Sequence, residues 1–262
     1  MTEEILAGGV ANAGKVIRSG AHVLRPGSAR TEVIHELLCY VRARGFDGVP
    51  EPVGIDPDGR ERLVFIDGEV PCPPFPQWSQ SDVVLASTSS LLAGYHRAVD
   101  GFVWPPGVPW CDELADPAGG PIMCHNDVCP ENVVYHRRRA VGLLDFDFVS
   151  PGRPLYDLAQ LAKMCVPIDT PDDAARLGRG SLDAFHRLRV VVDAYGLPPG
   201  RELFLDVLAE AIETGGRFVR RRVEAGEPAF VDMWNHMGGQ ARYDRRQKWF
   251  ERNRERFLHA LG

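Results

Sequence analysis

The feature that most limits how this chain can fold is a change of texture about a quarter of the way along it. Up to Gly68 the sequence reads as short alternating runs around one helix, and from Ser81 it reads as helix after helix. Pro71, Pro73, Pro74 and Pro76 crowd the boundary. Proline has no backbone N–H to give to a helix or a sheet, so this cluster marks a connector. The expected fold class is α+β, in two lobes. Residues 1–68 form a small antiparallel sheet with one helix, 69–80 a linker, and 81–262 a larger, mainly helical lobe.

Within the first lobe, strands are expected at 4–6, 15–18, 21–24, 51–55 and 62–66. Ser19-Gly20 and Asp56-Pro57-Asp58-Gly59 supply turns. A helix over 31–44, capped by Thr31, carries the stripe Ile34, Leu37, Leu38, Val41 and stops at Gly45. Beyond the linker, helices are expected at 82–99, 155–164, 171–195, 201–225 and 231–261, with a loop-and-hairpin segment at 121–151.

Composition removes several classes of function. A chain 44% hydrophobic and 25% charged is neither disordered nor fibrous. No window approaches the roughly 18 uninterrupted apolar residues of a membrane span. The acidic start, Met-Thr-Glu-Glu, does not resemble a secretory signal. The six cysteines (39, 72, 111, 124, 129 and 165) include no C-x-x-C pair, so reduced thiols in the cytoplasm are expected. A net charge of −6 speaks against a nucleic-acid partner. Residues 215–262 do carry 11 basic and 6 acidic groups, but no aromatic-interleaved nucleic-acid-binding motif accompanies them and they read as a solvated helix face. Of the 30 basic residues only Lys15, Lys163 and Lys248 are lysines. That bias fits a GC-rich genome, yet it bears on any phosphate site that depends on lysine.

The segment richest in chemistry is His125-Asn126-Asp127-Val128-Cys129-Pro130-Glu131-Asn132, followed by Val133-Val134-Tyr135, a basic turn, and Val141-Gly142-Leu143-Leu144-Asp145-Phe146-Asp147. Phosphoryl transfer needs a carboxylate near the attacking hydroxyl and oxygen ligands for a metal on the nucleotide's phosphates. Mg²⁺ prefers hard oxygen donors and takes few from protein, which suits one Asn and one Asp. A hairpin between Asn132 and Asp145 would bring those two side chains to one end of its paired strands.

This segment resembles the catalytic core of the aminoglycoside phosphotransferase and choline-kinase branch of the protein-kinase-like superfamily. The resemblance is sharp from His125 to Ala159 and implies ATP and Mg²⁺ as cofactors, with a small-molecule hydroxyl as phosphate acceptor. It implies Asp127 as the catalytic carboxylate, and Asn132 and Asp145 as metal ligands. His125 would be a structural support, and Asp157 the anchor of the catalytic loop. Asp147 fits either a place behind the metal ligands or a turn contact. The strand leading into Phe65, Ile66 and Asp67 resembles the hinge whose backbone receives adenine. His96 reads as structural.

Such a kinase places a cation, normally Lys, on its third strand against a helix Glu. Here the matching residue is Arg25, with Glu36 favoured over Glu32 as partner; a surface arginine before Pro26 is the alternative. Gly9 to Val16 nearly spells a P-loop, but Val16 stands where a metal-binding hydroxyl is needed and no helix follows, so it is rejected. It fits better as the glycine-containing hairpin over ATP. The acceptor stays open: a net −8 over 71–214 permits a polycationic aminoglycoside, whereas the Arg-rich final helices do not favour one, which leaves a neutral sugar, amino alcohol or antibiotic hydroxyl as competitor. The rival reading is a catalytically weak pseudokinase serving as nucleotide sensor or scaffold.

Overall fold

The computed structural model describes residues 3–6 and 14–262. Most of the P-loop-like run, with Gly8 and Gly9, lies outside the described residues, while Gly14 and Lys15 form a turn.

The first lobe is a five-stranded antiparallel sheet of β1 (Glu3–Ile5), β2 (Ile17–Ser19), β3 (His22–Pro26), β4 (Pro52–Ile55) and β5 (Arg60–Val64), in the order β1-β2-β3-β5-β4. Helix α1 (Thr31–Ala43) connects β3 to β4 and buries Val33, Ile34, Leu37, Leu38 and Val41, one continuous apolar face. Thr31 is the first helical residue, not its cap: its hydroxyl accepts the Ser28 N–H at 2.7 Å and the side chain is buried. β5 starts two residues earlier than the sequence suggests, because Gly59 takes φ +84° and closes the Asp56–Arg60 turn directly before it.

The second lobe opens with α2 (Asp82–Val99), capped by the Ser81 hydroxyl on the Val84 N–H. Two short antiparallel pairs follow, β6 (Ile122–Cys124) with β9 (Ser150–Gly152) and β7 (Val133–His136) with β8 (Arg139–Leu143). Helices α3 (Pro154–Cys165), α4 (Pro171–Arg176), α5 (Ala184–Tyr195), α6 (Glu202–Glu224), α7 (Pro228–His236), α8 (Gly239–Arg252) and α9 (Arg254–Leu261) complete it. Two long expected helices are therefore divided. Gly178 and Gly180 separate α4 from α5, and α7 gives way to α8 at Gly238, its N-cap, and Gly239, its first residue, both at positive φ. A helix needs negative φ throughout, so these glycines end what apolar periodicity alone would continue. No described helix is long and apolar enough to cross a membrane.

One apolar core runs through both lobes, from Leu37, Leu38 and Leu63 to Leu92, Tyr95, Leu143, Leu158 and Leu161. The lobes are also joined by backbone: Leu143 N–H donates to Gly48 O at 2.9 Å, and Glu69 pairs with Tyr135.

Candidate active site

Nested strand pairing builds the site. β7 and β8 are consecutive and form a hairpin; its two-residue turn has Arg137 and Arg138 at φ +49° and +65°. Because β6 and β9 pair outside that hairpin, the loops 125–132 and 144–149 leave at the same end. Leu144 N–H donates to Asn132 O at 2.8 Å and fastens the two loops together. The hairpin expected between Asn132 and Asp145 is thus present.

The base of the first loop is held from α3. Asp157, fully buried, accepts the His125 N–H at 2.7 Å, the Asn126 N–H at 2.8 Å and His96 Nε2 at 2.9 Å. Burial alone would raise its pKa, but His96 and these donors hold it below the usual carboxylate range. His125 spans both loops: Nε2 meets Leu144 O at 2.8 Å, and Nδ1 accepts the Asp127 N–H at 3.2 Å. Burial lowers its pKa, and the neutral tautomer with Nε2–H satisfies both contacts. Asn126 (φ +65°) and Asp145 (φ +61°) adopt the left-handed region, which Asn and Asp tolerate best among residues with a Cβ. The Asn126 amide repays that geometry by bonding Cys124 O, Phe148 O and the Ser150 hydroxyl.

Asp127 and Asn132 meet directly. Asn132 Nδ2 donates to Asp127 Oδ2 at 2.8 Å and to Asp127 O at 3.0 Å. The amide oxygen of Asn132 is therefore turned away from Asp127, available to a cation. Burial, reinforced by the charge of Asp145, raises Asp127 to about 7, against the opposing pull of Lys163 and Asn132. Asp145 and Asp147 are each partly exposed, and burial plus Asp145 raises Asp147 as well. Crowded oxygen donors with surplus negative charge match what a hard divalent cation selects.

Arg25 stands across this cluster. Its NH1 lies 3.2 Å from Asp145 Oδ1, its NH2 bonds Asp147, and its Nε lies 3.0 Å from Glu61 Oε1, though that N–H is not aimed at the oxygen. Arg25 is no surface residue, and its partner is neither Glu32 nor Glu36. Both of those lie on the exposed face of α1, whereas antiparallel register places Glu61 directly opposite Arg25. Helix α1 contributes His35 instead, with Nε2 at 3.0 Å from Glu61 Oε2. Sequence reading missed Glu61 and His35. The available signal was period two: Glu61 shares the inward phase of β5 with Leu63.

Phe65, Ile66 and Asp67 directly follow β5. The Phe65 N–H is already bonded to Ala21 O at 2.9 Å, so Phe65 has no free donor for a purine. That narrows the expected hinge contacts to the Phe65 carbonyl and the backbone of Ile66 and Asp67, which make no backbone hydrogen bond among the described residues. The Arg18 guanidinium stacks on the Phe65 ring at 3.8 Å, and the Ile66 side chain packs at Gly142 of β8.

A model of the "Phosphotransferase enzyme family" matches residues 108–191, which contain both loops and α3 but neither Arg25 nor the hinge segment. The trifolitoxin immunity protein of Rhizobium leguminosarum bv. trifolii is 32% identical over 187 residues, covering 70% of this chain and 70% of that protein. Among solved structures, a choline/ethanolamine kinase family protein from Mesorhizobium loti is similar with a TM-score of 0.65, at 18% identity over 100% of this chain and 92% of that one. Aminoglycoside 2'-phosphotransferase-IIIa, solved as its GDP complex, gives a TM-score of 0.57 at 14% identity, over 98% of this chain and 93% of that one. These likenesses show a protein-kinase-like fold.

Proposed function

The chain belongs to the phosphotransferase enzyme family, and from that premise we propose that it moves the terminal phosphate of ATP to a hydroxyl of a small molecule, with Mg²⁺ as cofactor. The observation that carries this reading is the convergence of Asp127, Asn132 and Asp145 at the open end of one hairpin. Asp127 orients the acceptor hydroxyl and takes its proton; a carboxyl raised to about 7 is suited to hold a proton transiently at neutral pH. Asn132 through its amide oxygen and Asp145 through its carboxylate would hold Mg²⁺, which when bound neutralises charge on the nucleotide's phosphates. Arg25, released from Asp145 and Asp147, would then face the phosphates as a fixed cation. The backbone from the Phe65 carbonyl to Asp67 receives the purine. The lobe boundaries 1–68, 69–80 and 81–262 and a reducing, cytoplasmic setting for the six free cysteines belong to the same proposal.

Asp127→Ala tests it. Turnover falls at least about 10²-fold, the lower end of what a positioned general base contributes, while nucleotide still binds. Turnover retained in that variant rejects the assignment. A second reading, a nucleotide sensor with little catalysis, draws support from Arg25 engaging Asp145, the carboxylate proposed for the metal. ATP binding without transfer to any hydroxyl acceptor would favour it. The immunity named for the Rhizobium relative is compatible with the first reading, in which a toxin is inactivated by phosphorylation of a hydroxyl.

A further inference from the structure

Arg187 on α5 is the only lysine or arginine buried outright among the described residues, at 4% exposure. Its Nη1 donates to Gln80 O at 2.7 Å and to Asp82 Oδ1 at 3.0 Å, and its Nη2 to Cys165 O at 3.4 Å. Nε is sealed from water and has no partner. A buried N–H without an acceptor has lost its water and gained nothing in return. Charge compensation is incomplete as well. Asp82 is the one carboxylate within 4.0 Å of Arg187 among the described residues; it is 48% exposed and shared with His186 at 2.7 Å. A half-exposed, shared carboxylate offsets little of the cost of withdrawing a cation from water.

The same arginine lines a cavity of about 20 Å³. The linker contributes Phe75 and Gln80 to its wall, the Asp127 loop Pro130, β7 Tyr135, and the turn between α4 and α5 a second arginine, Arg179. Arg179 Nη1 donates to Met164 O at 3.1 Å, and its guanidinium lies 5.4 Å from the centre of the Phe75 ring. Arg179 belongs to no ion pair among the described residues, and no Asp or Glu lines the space. Thr88, also on the wall, donates its own proton to Val84 O at 3.0 Å and so accepts from the Tyr135 hydroxyl at 2.8 Å. That leaves the two arginines as the strong donors facing the cavity.

A space of this size holds one water-sized guest and excludes a polyatomic phosphate. The guest must accept from Arg187 Nε–H, and the surplus of guanidinium over carboxylate favours one that is negative. Water meets the first requirement only; a monatomic anion meets both. We propose that this cavity binds a single chloride-sized anion, held by Arg187 Nε–H and by Arg179, where the linker, α5 and the loop that carries Asp127 meet. The anion is neither nucleotide nor acceptor, so the inference stands apart from the phosphotransferase reading.

Two measurements on the full chain test it. Thermal melts at constant ionic strength compare sodium chloride and sodium bromide with sodium gluconate, whose anion is too large for the cavity. Crystals grown in sodium bromide, measured at the bromine absorption edge, locate the ion. Tm should be about 2–4 °C higher in either halide than in gluconate, the shift expected of a ligand that binds only the folded chain. A bromine peak should lie in the cavity within hydrogen-bond reach of Arg187 Nε. Arg187→Met should abolish the difference between salts. Where that variant fails to fold, Arg179→Met carries the test, since it leaves every Arg187 bond in place; it should shrink the difference, and Arg179→Lys should restore part. Equal Tm in halide and gluconate overturns the proposal, as does a halide effect that persists undiminished in Arg179→Met. Water in the cavity, with bromine confined to the outer surface, overturns it too.

Discussion

Two charged clusters flank the loop that carries Asp127, and they are built on opposite principles. Around Asp157 the carboxylate is sealed from water, every donor is aimed at it, and its pKa is held down. Around Arg25 three carboxylates from β5 and the 144–149 loop share one guanidinium, two of them partly exposed, and Asp147 is pushed up. A satisfied buried network fixes geometry. A crowded, half-open cluster is unsettled until another cation or an anionic ligand joins it. The contrast separates the part of the site that supports the loops from the part proposed to bind nucleotide and metal.

The largest expected effect tests the supporting part. Asp157→Ala leaves the His125 and Asn126 N–H groups and His96 without their acceptor, which should destabilise the protein by about 3–5 kcal/mol in urea melts and abolish turnover with it. A loss under about 1 kcal/mol would show that the anchor is dispensable. The same residue fixes a pH dependence. Its folded pKa lies below its unfolded value, so its contribution is present above the ordinary carboxylate range and is lost as pH falls through the folded value. Melts of Asp157→Asn between about pH 3 and 7 should therefore have a shallower acid limb than wild type.

Next comes Asp145→Asn on the other side of the comparison. Asp145 is 26% exposed, and Asn tolerates the left-handed backbone there, so stability should change by about 1 kcal/mol or less while transfer falls at least about 10²-fold. Stability and activity falling together would erase the distinction between the clusters. Arg25→Lys against Arg25→Ala sharpens it further. Removing the cation leaves Glu61, 7% exposed, with His35 alone, so Arg25→Ala should lose about 2 kcal/mol and at least about tenfold in ATP affinity. Lysine restores a point charge without the fork and should recover affinity in part. Equal ATP affinity in all three proteins would reduce Arg25 to the genome's preference for arginine.

How much of this was readable in the sequence follows the same division. The hairpin between Asn132 and Asp145 and the stripe of α1 are local, encoded by a turn and a 3.6-residue period, whereas the role of Asp157 on α3 beneath the loop was implied only by the family resemblance. Arg25 was readable as a candidate cation, but its partner was not. A helix Glu was expected, and the strand register chose Glu61, a pairing fixed by sheet geometry across a 36-residue interval rather than by local pattern. The glycine breaks after α4 and α7 were legible letters whose weight against helical periodicity was underestimated. Arg187 was visible only as one more arginine, because what gives it meaning is contact with the linker, α2 and the end of α3.

The smallest expected effect bears most directly on why Arg25 is shared. Glu61→Gln keeps the side chain's shape and an oxygen for His35, but removes one of the three negative charges that face the guanidinium. Arg25 is then held by Asp145 and Asp147 alone. If Glu61 serves to draw Arg25 back toward the sheet, leaving Asp145 open to metal, its loss should tighten Arg25 on those carboxylates. The Mg²⁺ concentration for half-maximal activity should then rise about two- to fivefold, with stability lowered by about 1 kcal/mol. An unchanged Mg²⁺ requirement alongside the same loss of stability would make Glu61 a packing partner only. It would place the whole adjustment of Arg25 in the 144–149 loop.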